Sequence, residues 1–155
     1  MKLRHFLLAA AIAVGSGASG AGAKTFKYAF QGDLNALDPY TLNETFTLGA
    51  LGNVMEGLTA RDKNLKIIPS LAERWETPEP TRWRFHLRKG VKFHDGSPFT
   101  ADDVVFSVER ARADGSQVKS RLPADAEAVK VDDHTVDFKL KSPNPILHAE
   151  WDTWY

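Results

Sequence analysis

Two pairs of adjacent carboxylates are the residues of this sequence whose type and spacing first suggest catalysis. Asp102 and Asp103 form one pair, and Asp132 and Asp133 form the other. A general acid and a general base must converge on one bond, whereas neighbouring residues on a helix or in a turn point apart. Helix capping and turn formation therefore explain both pairs better. A secreted carboxylate-dependent hydrolase stays open as an alternative of another class, and converging carboxylates would support it.

The remaining reactive residues indicate neither a covalent nucleophile nor a metal site. The chain has no cysteine, and no serine stands in a Gly-x-Ser-x-Gly nucleophile motif. The histidines His86, His94, His134 and His148 lack the helical or short-loop spacing that builds a zinc site. His94 beside Asp95 could bind a metal weakly, but local hydrogen bonds in a turn explain this pair better. The sequence thus predicts a protein that is not an enzyme, without a catalytic or metal site, and implies no cofactor.

Composition is that of an ordinary soluble globular protein. Of the 155 residues, 43% are hydrophobic and 26% are charged. The 20 lysines and arginines balance 20 aspartates and glutamates, so no basic field exists to attract a phosphate backbone. Nucleic acid is therefore not an expected partner.

The first 23 residues have the pattern of a cleaved signal peptide. Lys2 and Arg4 precede an apolar run over residues 6–14, and small residues end the segment at Ala21-Gly22-Ala23. Cleavage is expected after Ala23, which removes two bases and no acid and leaves a mature charge of 18 − 20 = −2. The apolar run is too short for a permanent membrane helix. Because no cysteine is available for lipid attachment, we expect a soluble protein in the periplasm.

A strand and a helix are predicted between residues 26 and 58. The aromatic residues at positions 26, 28 and 30 alternate with Lys27 and Ala29, as in a strand that buries one face. From Thr45 onward, apolar residues recur at helical spacing, at Leu48, Leu51, Val54, Met55 and Leu58. Asn43 or Thr45 can cap this helix, and Gly57 can close it.

The later part of the chain predicts short strands and one further helix. Alternation of apolar and polar residues predicts strands at 58–60, 65–68, 82–88, 91–93, 129–131 and 136–140. A tight turn at His94-Asp95-Gly96 precedes a helix that begins at Thr100. The polar segment 113–128 is expected to be a loop.

One ordered set of motifs covers nearly the whole segment after residue 23. Its longest part runs through residues 71–75, 83–88 and 90–104. Leu37-Asp38-Pro39, Glu56-Gly57-Leu58 and the hairpin at 131–136 agree as well. Together these motifs resemble family 5 of the bacterial extracellular solute-binding proteins, which holds oligopeptide-, dipeptide- and nickel-binding proteins.

The resemblance implies an α/β fold of the two-lobed periplasmic binding protein type. It implies that residues 24–57 start the first lobe and that residues 58–155 form a small, incomplete additional α+β domain. Relatives are several times longer, so the second lobe is expected to be absent from this sequence. A truncated chain that is not a working receptor is a further possibility.

The resemblance also implies a function and a site. It implies a monomer that captures peptides or similar small solutes and delivers them to an inner-membrane ABC permease; nickel complexes, opines, sugars or haem are alternative cargoes. By position after Leu37-Asp38-Pro39, ligand contacts are expected at Asn43, Thr45 and Phe46, with Tyr40 and Glu44 close by. Simpler roles are a helix cap for Asn43, a core position for Phe46 and a packed loop aromatic for Tyr40.

Overall fold

The structure is a computed structural model that describes residues 25, 27, 29, 31–41, 44–123 and 125–151. Two compact units are distinguished, Met1–Phe30 and Gln31–Tyr155, and nearly all described residues belong to the second. The predicted signal peptide, the three aromatic residues of the predicted first strand and Asn43 lie outside the described residues. Among the residues described, no helix is long and apolar enough to cross a membrane.

Three α-helices, one 3-10 turn and six strands make up the second unit as described. In chain order they are α1 (Thr45–Leu51), β1 (Thr59–Arg61), β2 (Ile67–Pro69), β3 (Ala72–Glu79), β4 (Arg82–Leu87), α2 (Ala101–Arg112), a 3-10 turn (Lys119–Arg121), β5 (Glu127–Asp132), β6 (Thr135–Lys139) and α3 (Leu147–Glu150). Strands β1 and β2 form an antiparallel hairpin. The other four strands form one antiparallel sheet in the order β3-β4-β6-β5.

Strand β4 lies at the centre of the larger sheet, and its sequence alternation explains why. Trp83, Phe85 and Leu87 are buried on one face, while the intervening polar residues are half-buried on the other. Phe85 meets Phe138 of β6 edge to face, with ring centroids 5.4 Å apart. This geometry is favourable for aromatic pairs. The predicted strand at 82–88 is confirmed.

Helix α2 covers the apolar face of the sheet, mainly over β5 and β6. Val104, Val108 and Ala111 are buried along one stripe. At its start, the carboxylate of Asp103 accepts hydrogen bonds from the Thr100 backbone nitrogen at 2.7 Å and from the Thr100 hydroxyl at 3.1 Å. Such a cap satisfies a donor that the helix leaves open. The predicted start of this helix is confirmed.

Helix α1 is shorter than its apolar pattern predicts. It ends at Leu51, with Gly52 as its C-terminal cap, so the prediction that Gly57 closes it is wrong. Val54 is 58% exposed and does not continue a buried stripe. The cap at the start is Glu44, rather than Thr45 as considered above. Gly52 keeps right-handed helical backbone angles (φ −60°, ψ −9°), and its nitrogen still donates to the Leu48 oxygen at 3.0 Å.

Three further sequence predictions meet different outcomes. The two predicted hairpins are confirmed within two residues of their ends. The predicted strand at 91–93 is wrong, because only one isolated bridge joins Lys92 to Pro98. Strand β3 was not predicted. Six of its eight residues are exposed, so its apolar and polar residues do not alternate as in a strand that buries one face. The loop at 113–128 is largely confirmed, yet it buries Val118, Leu122 and Ala126 in the core.

The proposed division between residues 57 and 58 stays a prediction. Tyr40 and Leu48, which precede it, are buried in the same hydrophobic cluster as Leu58, Phe85 and Phe138.

Candidate ligand-binding site

Asp38 organises the loop that leads toward the predicted ligand contacts. Its Oδ1 accepts a hydrogen bond from the backbone nitrogen of Tyr40 at 2.9 Å, which closes an Asx turn. Its backbone oxygen accepts a second bond from the Thr41 hydroxyl at 3.0 Å. Its Oδ2 forms an ion pair with Arg110 of α2. Asp38 therefore stabilises the turn within the loop and also connects the loop to α2.

The Tyr40 side chain is buried rather than exposed to solvent. It is 8% exposed, and the Arg110 guanidinium carbon lies 5.5 Å from its ring centroid. Burial raises the pKa of the Tyr40 hydroxyl, and a hydrogen bond with Ser107 opposes that shift. The Tyr40 backbone oxygen accepts a bond from Gln117 at 2.8 Å. Tyr40 thus holds the loop against α2 and the segment that follows it.

Glu44 caps α1 with its side chain. One carboxylate oxygen accepts from the Phe46 nitrogen at 2.9 Å, and the other accepts from the Thr47 nitrogen at 2.8 Å and the Thr47 hydroxyl at 2.7 Å. These bonds, that to the Thr47 hydroxyl first, lower the pKa of Glu44. Thr45 is exposed, while Glu44 and Phe46 are half-buried. Of the four predicted contact residues that the structure describes, Thr45 is the one with an exposed side chain.

A groove beside this loop was not predicted. It has a volume of about 760 Å³ and lies between the loop after α1 and the turn at residues 91–94. Its polar wall residues include Glu56, Lys92, His94 and Asp103. Segments far apart in the sequence form it, so no local pattern could have indicated it.

The turn at the centre of the longest motif is held by its own side chains. The Oδ1 atom of Asp95 accepts from the Ser97 nitrogen at 2.9 Å and from the Ser97 hydroxyl at 2.6 Å, and these bonds lower the pKa of Asp95. Gly96 has a φ angle of 89°, which favours glycine. The motif thus specifies a backbone shape.

The carboxylate pairs have structural partners. Lys130 Nζ lies 2.6 Å from Asp102 Oδ2 and 2.7 Å from Asp133 Oδ1. The ion pair lowers the pKa of Asp133, so this carboxyl has no proton to donate near neutral pH. Asp132 accepts a hydrogen bond from the His134 nitrogen at 2.7 Å. This arrangement does not provide the acid and base that the hydrolase alternative requires.

Metal ligands do not cluster in the part of the chain that the structure describes. There, no group of three or more histidine, aspartate and glutamate side chains could hold an ion.

Comparison with known proteins decides the family. The model for bacterial extracellular solute-binding proteins, family 5 Middle, matches residues 66–153. This chain belongs to that family. The proteins of family 5 are solute-binding proteins rather than enzymes. A dipeptide-binding protein of Escherichia coli (strain K12) is 33% identical over 150 residues, and the match covers 83% of this chain and 28% of that protein.

Solved structures of family 5 proteins show the same fold. AgaA of A. tumefaciens R10, in complex with agropinic acid, superposes with a TM-score of 0.70 at 28% identity, over 77% of this chain and 25% of AgaA. NikZ from Campylobacter jejuni, in complex with Ni(L-His), gives a TM-score of 0.70 at 24% identity, over 79% of this chain and 25% of NikZ, and shows the fold alone. The predicted fold class is confirmed. The chain spans about a quarter of the length of the relatives it matches.

Proposed function

We propose that the protein containing this chain is the substrate-binding component of an ABC importer. In this role it captures peptides or similar small solutes in the periplasm and delivers them, as a monomer, to an inner-membrane permease. The observation that carries the proposal is the family 5 match over residues 66–153, which covers more than half of the chain. Export through the signal peptide, with cleavage after Ala23, belongs to the same proposal.

Peptides are the favoured cargo class. The dipeptide-binding relative, 33% identical over 150 residues, supports a peptide ligand. Agropinic acid in AgaA and Ni(L-His) in NikZ keep an opine or a nickel complex as alternative cargoes. Sugars and haem, which the sequence resemblance also leaves open, are further alternative cargoes.

The proposed contact segment is the stretch from Asn43 to Phe46. Thr45 supports this assignment because its side chain is exposed at the start of α1. Tyr40 and Glu44 act as positioning residues, since Tyr40 is packed against α2 and the Glu44 carboxylate is committed to the backbone of α1. Extended ligands are held mostly by backbone hydrogen bonds, so a bulky charge at an exposed contact position should block them sterically.

The proposal is tested by thermal unfolding, with and without ligand, of the protein expressed from its complete gene. A ligand at 100 times its Kd stabilises the folded state by about 2.7 kcal/mol, which raises Tm by several degrees. We expect such a rise with a dipeptide or tripeptide mixture. Thr45→Arg should abolish it without lowering the Tm of the ligand-free protein.

Thr77→Arg is the matched control, because Thr77 is an exposed threonine on β3. This variant should retain the full ligand-induced rise. No response to peptides, agropinic acid, Ni(L-His), sugars or haem would refute the transport proposal. An undiminished response in Thr45→Arg would refute the proposed contact segment alone.

A further inference from the structure

His148 lies between two tryptophans of the large sheet. Its imidazole stacks on the Trp83 ring, with centroids 5.0 Å apart and an interplanar angle of 21°. It also stacks on the Trp75 ring, at 5.7 Å and 26°. The stack packs α3 onto β3 and β4.

We define residues 144–151 as the strap, because hydrogen bonds attach this segment along its length. Trp83 Nε1 donates to the Asn144 oxygen at 2.9 Å. The Thr59 hydroxyl of β1 donates to the His148 oxygen at 2.8 Å, and the Thr59 nitrogen donates to the Trp151 oxygen at 3.2 Å. The strap therefore joins the small hairpin to the large sheet. Its Leu147 and Trp151 side chains are buried in the core, and His148 supplies the stacking contact with the two tryptophans.

The imidazole of His148 is set up to remain neutral. Its Nδ1 is buried and has no hydrogen-bond partner among the described residues. A proton on this nitrogen would create a buried donor without an acceptor, which is costly. Burial also lowers the pKa of His148, because a charged ring would lose hydration. Attraction of an imidazolium to the two indole faces acts in the opposite direction.

Few charged groups accompany this stack. On β1, Arg61 reaches the Ala149 oxygen at 3.5 Å. On β3, Arg74 and Glu76 flank Trp75 and lie 3.8 Å apart, and Glu73 precedes Trp75 by two residues. On α3, Glu150 follows His148 by two residues. The charged residues of β4 lie on the face opposite Trp83. Burial, rather than any of these charges, is the cause of the His148 shift.

We propose that the strap is an acid-sensitive latch, docked while His148 is neutral and released from Trp75 and Trp83 when the imidazole takes up a proton. The direction of the pH dependence follows from the coupling of proton binding to docking. Because the free ring binds protons more readily than the stacked ring, docking is complete above the ordinary pKa of about 6.5 and weakens as pH falls below it. Leu147 and Trp151 are buried in the core on either side of His148, so release of the stacked ring loosens the strap without detaching it from the hairpin and the sheet.

Hydrogen exchange of the strap measures the latch directly. On the protein from its own gene, we expect amide protection over residues 144–151 to fall by up to about tenfold between pH 7.5 and pH 5.5, after correction for intrinsic exchange rates. His148→Phe keeps an aromatic ring that cannot titrate, so its strap should show equal protection at both pH values. His94→Phe, at an exposed histidine in a turn, should retain the wild-type fall.

An NMR titration of the His148 ring keeps the test valid if His148→Phe fails to fold. A midpoint below 6.5 in the wild-type protein supports the latch. A midpoint at or above 6.5, equal protection of the wild-type strap at both pH values, or an unchanged fall in His148→Phe would overturn it.

Discussion

Asp137 of β6 shows at the scale of single residues how the sheet tolerates a buried charge. Its side chain is 4% exposed, and Arg84 of β4 binds it with two bonds, Nε to Oδ1 at 2.7 Å and Nη2 to Oδ2 at 2.8 Å. Arg82 adds a longer contact at 3.6 Å. Such bidentate pairing compensates the lost hydration of the carboxylate. The alternation of apolar and polar residues in β4 predicted a polar face here but not this partner, because the partner lies 53 residues away.

Removing the Arg84 side chain should show how much free energy the burial of the Asp137 carboxylate costs. Arg84→Met leaves a buried carboxylate without its main partner, and we expect a loss of about 3 kcal/mol in the free energy of unfolding at pH 7. Urea denaturation measures it. Arg74→Met is the control, since Arg74 makes an exposed 3.8 Å pair with Glu76 and its loss should cost under about 0.5 kcal/mol.

The same pair predicts a pH dependence. Arg84 lowers the pKa of Asp137, so the pair contributes stability above the ordinary aspartate pKa of about 3.9 and loses it as pH falls through the lower, folded value. Arg84→Met should therefore lose less stability than wild type between pH 5 and pH 3. Equal losses in both proteins would show that Asp137 does not depend on Arg84.

Secondary-structure elements were predictable where a local pattern determines them. The alternation in β4 and the capped start of α2 were read correctly, because both signals lie within a few residues. Strand β3 was missed because its pairing with β4, rather than its own mostly exposed residues, defines it. The predicted first helix extended beyond the end of α1, because Val54 fits the helical spacing of apolar residues although it is not buried. Glu44 was not considered as its cap, since shorter side chains are the usual choice.

Two glycines test how backbone conformation shapes the elements. Gly49 lies inside α1, and Gly96 has a φ angle of 89° in the turn before α2; an added Cβ would meet no atom within 4 Å at either position. Gly49→Ala should stabilise the fold by up to about 1 kcal/mol through helix propensity. Gly96→Ala should destabilise it by about 1 kcal/mol or more through backbone strain. Thermal unfolding of both variants checks the opposite signs, and equal signs would contradict this account.

At the scale of the whole molecule, the sequence predicted the fold class more fully than the site. The motifs that carry the family resemblance specify backbone shape, as the Asp95 turn and the Asp38 loop show, so they identify the fold without describing a ligand. The groove beside Tyr40 depends on segments that only the fold brings together. Ligand contacts at Asn43, Thr45 and Phe46 accordingly stay a proposal, which the Thr45→Arg experiment tests.

Export is the whole-molecule property that the proposed function requires first. When the gene is expressed in a diderm bacterium, the periplasmic fraction should contain a protein whose N-terminus is Lys24, as intact-protein mass spectrometry and N-terminal sequencing can determine. Ala23→Phe should leave uncleaved precursor, because the peptidase accepts only small residues at the last position of an Ala-x-Ala site. Gly22→Leu, at the tolerant middle position, should be processed normally. A protein that keeps Met1 and stays in the cytoplasm would contradict both the signal peptide and the periplasmic role, because a receptor for an importer must meet its solute outside the inner membrane.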